Sequence, residues 1–186
     1  AYTGKGWRYD WVPPSTEKQS GWIPALEASA VEFQNQIAGT PKEWLDRRIK
    51  MIDTDGTLNF LHGIPHFAIS IAAERHGEVT AGVIYDPIRD ETFWAEKGSG
   101  AYMNDRRLRV SARDKLPDAV FATGIPFLGR PGHKTFIATL DAIMGEVAGI
   151  RRFGSAALDM AYVAAGRYDG FWESGLSYWD IAAGII

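Results

Sequence analysis

From Ile49 onward, hydrophobic and polar positions follow regular short patterns, which the first 48 residues lack. Several apolar runs of four to nine residues are bounded by Gly, Pro, Asn or Asp, a pattern typical of β-strands separated by turns. These predicted strands cover residues 66–74, 79–85, 91–96, 101–103 and 107–110. The last two bracket a predicted hairpin turn at Asn104-Asp105. Strands that follow one another this closely predict an antiparallel meander.

The second half of this region mixes strands with helices. Residues 133–147 carry apolar side chains at helical spacing, and Ser155 is placed to cap a helix that runs through Ala165. A third helix is predicted from Trp179 to Ile186. The strands predicted here cover residues 119–123, 149–153 and 168–173. Because strands and helices do not alternate strictly, we predict an α/β fold, specifically a layered α+β sandwich.

The first 48 residues differ in character, with four Trp residues and scattered Pro residues. Helices are predicted there only at residues 23–38 and 41–45. We therefore divide the chain into an atypical N-terminal segment, 1–48, and a core, 49–186. The sequence does not begin with Met and stops within an apolar pattern, so we expect a fragment whose core is incomplete at its C-terminus.

Composition narrows the functional class. The 186 residues suffice for one compact domain, and the absence of Cys excludes disulfides, thiolate nucleophiles and Cys-bound zinc. A net charge of −3 gives no reason to expect nucleic acid or an anionic membrane as a partner. No apolar run approaches the ~20 residues of a membrane helix. We expect a cytoplasmic protein with no membrane partner.

A segment from Asp53 to Thr57 carries candidate chemistry. Residues two apart in an extended chain face the same side, so the Asp53 and Asp55 carboxylates can address one group of cations. Thr54 offers its carbonyl oxygen, Gly56 lets a phosphate approach the backbone, and Thr57 can orient or deprotonate a water. Carboxylate and carbonyl oxygens are the ligands that Mg²⁺ prefers. The alternative is an ordinary Asp-Gly turn.

Two later segments carry further candidates. Gly154, Ser155 and Ala156 begin a helix whose free N–H groups can contact an anion or a hydroxyl-rich ligand, although this segment taken alone favours an ordinary capped helix. Glu173 ends an apolar strand, and Asp180 stands between Trp179 and Ile181. A carboxylate placed like Asp180 is either a helix cap or a partly buried charge that needs a metal partner.

In this order, the segments resemble the inositol monophosphatase family, whose members are Mg²⁺-dependent phosphatases of small alcohol phosphates. The resemblance runs from about Ile52 to Ile186. It is carried by DGTLNF at 55–60, HGIPHFAISIA at 62–72, AGVIYDP at 81–87, AEKGSGAYMN at 95–104, GSAALDMAYVAAGRYDGFWE at 154–173 and WDIAAG at 179–184.

The resemblance implies the family's αβαβα architecture, in truncated form, and a role for each candidate residue. Metal would be held by Asp53, Thr54, Asp55 and Asp180. Substrate would be bound by Gly56, Thr57, Gly154, Ser155, Ala156, Glu173 and Asp180. Thr57 and Asp55 would serve in catalysis. The implied activity is hydrolysis of inositol 1-phosphate with two or three Mg²⁺ ions, and a homodimer is also implied.

The sequence departs from the family at two points. The family signature usually reads Asp-Pro-(Ile/Leu)-Asp-Gly-Thr, with its aspartates three apart, whereas Asp53 and Asp55 are two apart. No counterpart of the family's upstream Gly-Glu-Glu element is found before Ile49. Two alternatives therefore stay open. One is a related phosphatase of histidinol phosphate, a nucleotide 3′-phosphate or a sugar bisphosphate, and the other is a catalytically impaired scaffold.

Overall fold

The structure, a computed structural model, describes the backbone of residues 49–186 and the side chains from Asp55 onward. The segment 1–48, with the two helices predicted in it, lies outside this described part.

The first half of the described chain forms an antiparallel sheet. Its six strands are β1 (Ile49–Asp55), β2 (Ala68–Arg75), β3 (Glu78–Asp86), β4 (Glu91–Glu96), β5 (Gly100–Met103) and β6 (Arg106–Arg107). They lie in the order β1-β2-β3-β4-β5-β6, so each strand pairs with its neighbour in sequence. The predicted meander is confirmed, and β1 adds a strand at its edge.

The strand predicted at residues 107–110 is wrong beyond Arg107. The Leu108 N–H still donates to the Ala101 carbonyl at 2.8 Å, but the chain then leaves the sheet. Arg113 explains the departure, since its Nε lies 2.8 Å from Asp169 Oδ1 and its Nη2 donates to the Gly166 carbonyl. These contacts draw the segment toward the second sheet.

The second sheet has three parallel strands, β7 (Val120–Thr123), β8 (Gly149–Arg151) and β9 (Gly170–Trp172), in the order β8-β7-β9. From the central strand the chain therefore goes first to one neighbour and then to the other. Such a switch in direction opens a crevice at the carboxyl ends of the strands, where ligands of open α/β sheets bind.

Between residues 49 and 186, four α-helices accompany the sheets. They are α1 (Thr57–Leu61), α2 (His133–Met144), α3 (Ala156–Ala164) and α4 (Tyr178–Ile181), and a 3₁₀ turn covers Leu116–Asp118. Ser155 caps α3 as predicted, because its Oγ accepts from the Leu158 N–H at 3.3 Å. Among the described helices, none is long and apolar enough to cross a membrane.

Helix α3 lies at the centre of the hydrophobic core. Leu158 and Ala157 are fully buried, and they pack with Ala72 of β2, Phe93 of β4 and Ala122 of β7. Burying one Leu side chain contributes about 1.5–3 kcal/mol to the free energy of folding, so the packing of this helix strongly stabilises the contact between the two sheets. The many alanines let its backbone approach both sheets closely.

Helix α4 ends at Ile181 rather than at the predicted Ile186. The following residues press on the first sheet, where a Cβ added to Gly82 would stand 2.6 Å from the Ala183 carbonyl oxygen. Ala182 and Ala183 are buried in this contact. The segment after α4 therefore packs closely on β3.

Candidate functional site

Asp55 stands at the end of β1 and joins the two halves of the described chain. Its side chain is buried, and its Oδ2 accepts hydrogen bonds from the Ser155 hydroxyl and from the Ala157 N–H, the latter at 2.9 Å. The carboxylate therefore caps the N-terminus of α3 together with Ser155. The positive end of the helix dipole stabilises a negative charge there.

Gly56 and Thr57 form the turn that follows Asp55. Gly56 has a φ of 83°, a left-handed conformation that glycine adopts at little cost, and Thr57 begins α1. The buried Asn59 amide fixes this turn, since its Nδ2 donates to the carbonyls of His66 at 2.8 Å and Phe153 at 2.6 Å. The predicted phosphate turn is thereby held against the segment that leads into α3.

Asp159 adds a second buried carboxyl group to the same place. It lies in the first turn of α3, is only 1% exposed, and neither of its oxygens has a hydrogen-bond partner. Burial, and then the charges of Asp55 and Glu173, raise its pKa to about 8, against the opposing charge of Arg152. Buried polar atoms usually have a hydrogen-bond partner, so these two oxygens indicate a place where a positively charged group could bind.

Glu173 follows β9 at the carboxyl edge of the parallel sheet. Burial raises its pKa above the ordinary value, and the charges of Asp55 and Asp180 raise it further, while Arg152 and Arg130 act in the opposite direction. Glu173 is thus within electrostatic reach of both carboxylates predicted to bind metal. Its own oxygens have no hydrogen-bond partner among the described residues.

Asp180 lies in the first turn of α4 and is half-buried. Its Oδ2 accepts from the Ser177 N–H at 2.7 Å, so this carboxylate does cap its helix. Helix α4 also contacts β1 and α3, which carries Asp180 toward the strand that ends in Asp55. The cap uses one oxygen and is compatible with a metal contact through the other.

The structure brings together Asp55, Ser155, Ala156 and Glu173 from the predicted set. Asp53 and Thr54 lie in β1, where their backbones pair with Ser70 and Ile69, and their side chains lie outside the described part. From Asp55 onward, no group of three or more Asp, Glu or His side chains is arranged as a ready-made metal centre.

Sequence reasoning missed four residues of this site: Asn59, Gly124, Arg152 and Asp159. One of them had a readable signal, because Asp159 interrupts the apolar helix Ala156–Ala164 between Leu158 and Met160. Arg152 follows β8, and its Nη1 lies beside Gly154, where an added Cβ would meet it at 2.6 Å. Gly124 and Asn59 act through contacts with residues far away in sequence, which no local pattern shows.

Comparison with known proteins assigns the chain to a family. The sequence model of the inositol monophosphatase family matches residues 42–186. The chain belongs to the inositol monophosphatase family. Its Rhizobium meliloti relative named "Inositol-1-monophosphatase" is 62% identical over 132 residues, which cover 71% of this chain and 50% of that protein. The chain spans about half the length of the curated relatives it matches.

Solved structures show the same fold. The extragenic suppressor protein suhB from Bartonella henselae superposes with a TM-score of 0.70 at 65% identity, covering 72% of this chain and 52% of that one. An inositol monophosphatase of Staphylococcus aureus superposes with a TM-score of 0.64 at 32% identity, covering 73% and 52%. That protein is described with inositol monophosphate bound, and in another structure with 2′AMP bound. The predicted α/β layered fold is confirmed.

Proposed function

We propose that this chain carries the catalytic site of a Mg²⁺-dependent phosphomonoesterase that acts on a small phosphorylated polyol, with inositol 1-phosphate as the favoured substrate. The family supports phosphomonoester hydrolysis. The observation that carries the proposal is the cluster of Asp55, Asp159 and Glu173 at the carboxyl edge of the second sheet, where two of the three pKa values are raised.

These carboxyl groups suit a divalent cation in chemistry and charge, and the described side chains alone do not form a complete metal centre. All its donors are carboxylate oxygens, which suit Mg²⁺, and both oxygens of Asp159 are buried without a partner. Asp55 and Asp180 would hold the cation directly, together with Asp53 and the Thr54 carbonyl oxygen. When bound, Mg²⁺ would supply positive charge against the phosphoryl oxygens and the leaving oxygen.

The chain's own groups would position the reactants. The left-handed turn at Gly56 packs closely on the backbone of His66 and Phe67. The backbone N–H groups of this turn would contact the phosphate, and Thr57 at the start of α1 would orient the attacking water. Gly154, Ser155 and Ala156 would contact the alcohol part of the substrate, and Glu173 would accept hydrogen bonds from its hydroxyl groups. The water forms a new P–O bond, the ester P–O bond breaks, and the alcohol leaves with a proton.

A nucleotide monophosphate is the second candidate substrate. The Staphylococcus aureus relative is described with inositol monophosphate bound and, in another structure, with 2′AMP bound, which supports a nucleotide as the second candidate. In the present chain, Glu173 favours a polyol, because its unpaired carboxylate suits several adjacent hydroxyl groups.

The test is phosphate release from a substrate panel with and without Mg²⁺. The panel comprises inositol 1-phosphate, histidinol phosphate, 2′-AMP, 3′-AMP and a sugar bisphosphate. We expect inositol 1-phosphate to be hydrolysed fastest and chelation of Mg²⁺ to abolish turnover. We expect Asp55→Asn and Asp180→Asn to lower kcat/KM about a thousandfold or more, since each removes charge worth several kcal/mol in the transition state.

Asp105→Asn is the matched control, because Asp105 is exposed in the hairpin turn and far from the site in sequence. It is expected to leave turnover unchanged. Calorimetric titration with MgCl₂ supplies a reading independent of substrate. Full activity of the Asp55 or Asp180 variant would refute the assignment. Absence of both turnover and Mg²⁺ binding in the unmodified chain would favour the scaffold alternative.

A further inference from the structure

The Glu173 carboxyl group rests directly on a backbone position of the neighbouring strand. In the parallel pair of β7 and β9, Thr123 faces Trp172, so Gly124 and Glu173 are the next residues on each strand. The junction is fixed by two hydrogen bonds to the Trp172 carbonyl, from Thr123 Oγ1 at 2.9 Å and from the Gly124 N–H at 3.3 Å.

With the Glu173 carboxyl group in its present position, only glycine fits at position 124. A Cβ added to Gly124 would stand 1.8 Å from Glu173 Cδ and 2.0 and 2.2 Å from its two oxygens. These distances are far below any real van der Waals contact, and all three atoms belong to the carboxyl group. The carboxyl group therefore occupies the space that a side chain at residue 124 would fill.

We infer that Gly124 is a positioning residue: by lacking a side chain, it provides the seat from which Glu173 presents its carboxylate to a substrate hydroxyl group. The inference rests on the proposed function, and it names hydroxyl-bearing substrates as the class that the seat selects. Glu173 has no hydrogen-bond partner among the described residues, so both oxygens keep their capacity to accept.

Among the described residues, no direct ion pair neutralises the Glu173 carboxylate. The charges of Arg152 and Arg130 both act on Glu173, and Arg130 itself donates to the Gly175 carbonyl at 3.0 Å. Because the carboxyl group is the flexible end of a long side chain, a methyl group at residue 124 would displace it and leave the strands paired. The expected defect is one of position rather than of folding.

The test compares Gly124→Ala with Gly145→Ala in steady-state hydrolysis of inositol 1-phosphate. Gly145 is the matched control, since it has a helical φ of −82° and no atom within 4 Å of an added Cβ. We expect Gly124→Ala to raise KM at least tenfold with kcat changed less than threefold, and Gly145→Ala to change neither. Equal kinetics for the two variants would overturn the inference.

A second measurement uses a shorter acidic side chain at residue 173. In the Gly124→Ala background, Glu173→Asp withdraws the carboxyl group by about one methylene, which removes the overlap with the new methyl group. We expect this double variant to recover at least threefold in KM relative to Gly124→Ala alone, although Glu173→Asp by itself raises KM. Failure of the shorter side chain to rescue KM would count against the seat.

A crystal structure of Gly124→Ala separates this inference from the proposed function. A displaced Glu173 carboxyl group with intact strands β7 and β9 supports the seat, and an unmoved carboxyl group overturns it, whether or not the chain hydrolyses any phosphate ester. If the unmodified chain proves inactive on the whole panel, the proposed function fails and the crystal structure alone decides the role of Gly124.

Discussion

The two sheets of this chain are built in opposite ways. In the first sheet every strand pairs with its neighbour in sequence, so each contact is local and closes a short loop. In the second sheet β7 pairs with β8 and β9, which lie about 30 and 50 residues further along the chain. The strands of the first sheet and their pairing can consequently be predicted from alternation and turn residues. The second sheet forms only when segments distant in sequence come together.

The candidate site lies at the boundary between the two sheets. Asp55 comes from the edge strand of the local sheet, and its partners Ser155 and Ala157 come from the helix that feeds the second sheet. Glu173 and Gly124 belong wholly to the second sheet. The first sheet thus supplies the Asp55 carboxylate, and the second half of the described chain supplies the groups that surround it.

The largest expected effect comes from Asp159, which is buried on the helix between the sheets. Its pKa is about 8 in the folded chain, against an ordinary value of 3.8. Below pH 4 both states hold the proton. Between about pH 4 and pH 8 only the unfolded chain releases it, so the free energy of unfolding falls across this window and then levels off.

An Asp159→Asn variant removes this penalty, because its amide carries no charge at any pH. In EDTA at pH 8 we expect a gain in the free energy of unfolding on the order of 5 kcal/mol, and almost none at pH 4. Urea unfolding at several pH values measures it, with Asp141→Asn on the exposed face of α2 as control. A pH-independent difference would contradict the raised pKa.

A smaller effect is expected from the ion pair that ties the two halves together away from the site. Arg167, which follows α3, donates from Nη1 and Nη2 to the two Glu91 oxygens of β4, each at 2.6 Å. Its guanidinium also stacks over the Tyr162 ring at 4.5 Å. We expect Arg167→Met to lower the free energy of unfolding by about 2 kcal/mol, because it leaves the partly buried Glu91 unpaired.

Lys97→Met is the control for that variant. The Lys97–Glu78 pair lies within the first sheet and both side chains are more than half exposed, so its loss should change stability by less than about 0.5 kcal/mol. Chemical denaturation of both variants makes the comparison. If both variants lost the same free energy of unfolding, the Arg167–Glu91 ion pair would contribute no more to stability than the exposed Lys97–Glu78 pair.

The smallest stability effect is expected at Ser155, whose hydroxyl caps α3 and also donates to Asp55. Loss of such a cap costs about 1 kcal/mol. Ser155→Ala should also weaken Mg²⁺ binding severalfold in calorimetry, because the Asp55 carboxylate loses one of its two donors on α3. Ser99→Ala, in the exposed turn between β4 and β5, is the control. Unchanged Mg²⁺ affinity would show that the Ala157 N–H alone suffices to orient Asp55.

Predictions from sequence succeeded where the determinants were local. The strand at Glu91–Glu96 and the Ser155 cap were placed correctly, and the turn at Gly56 follows directly from its Asp-Gly pair. They failed where a distant contact ended an element, as at Arg107, where Arg113 binds Asp169. All assignments to metal, substrate or catalysis stay predictions: Asp53, Thr54, Asp55, Gly56, Thr57, Gly154, Ser155, Ala156, Glu173 and Asp180.

The amino-acid sequence alone determined the family resemblance, the antiparallel meander and the candidate acidic residues Asp55, Glu173 and Asp180, but not Asp159. The resemblance depends on short motifs and the meander on alternation and turn residues, so both are determined by neighbouring positions in the chain. Tertiary structure alone decided that Asp159 is buried without a partner and that Glu173 rests on Gly124. Burial and close approach are set by segments that meet across 50 to 100 residues of chain, and no local pattern encodes such distances.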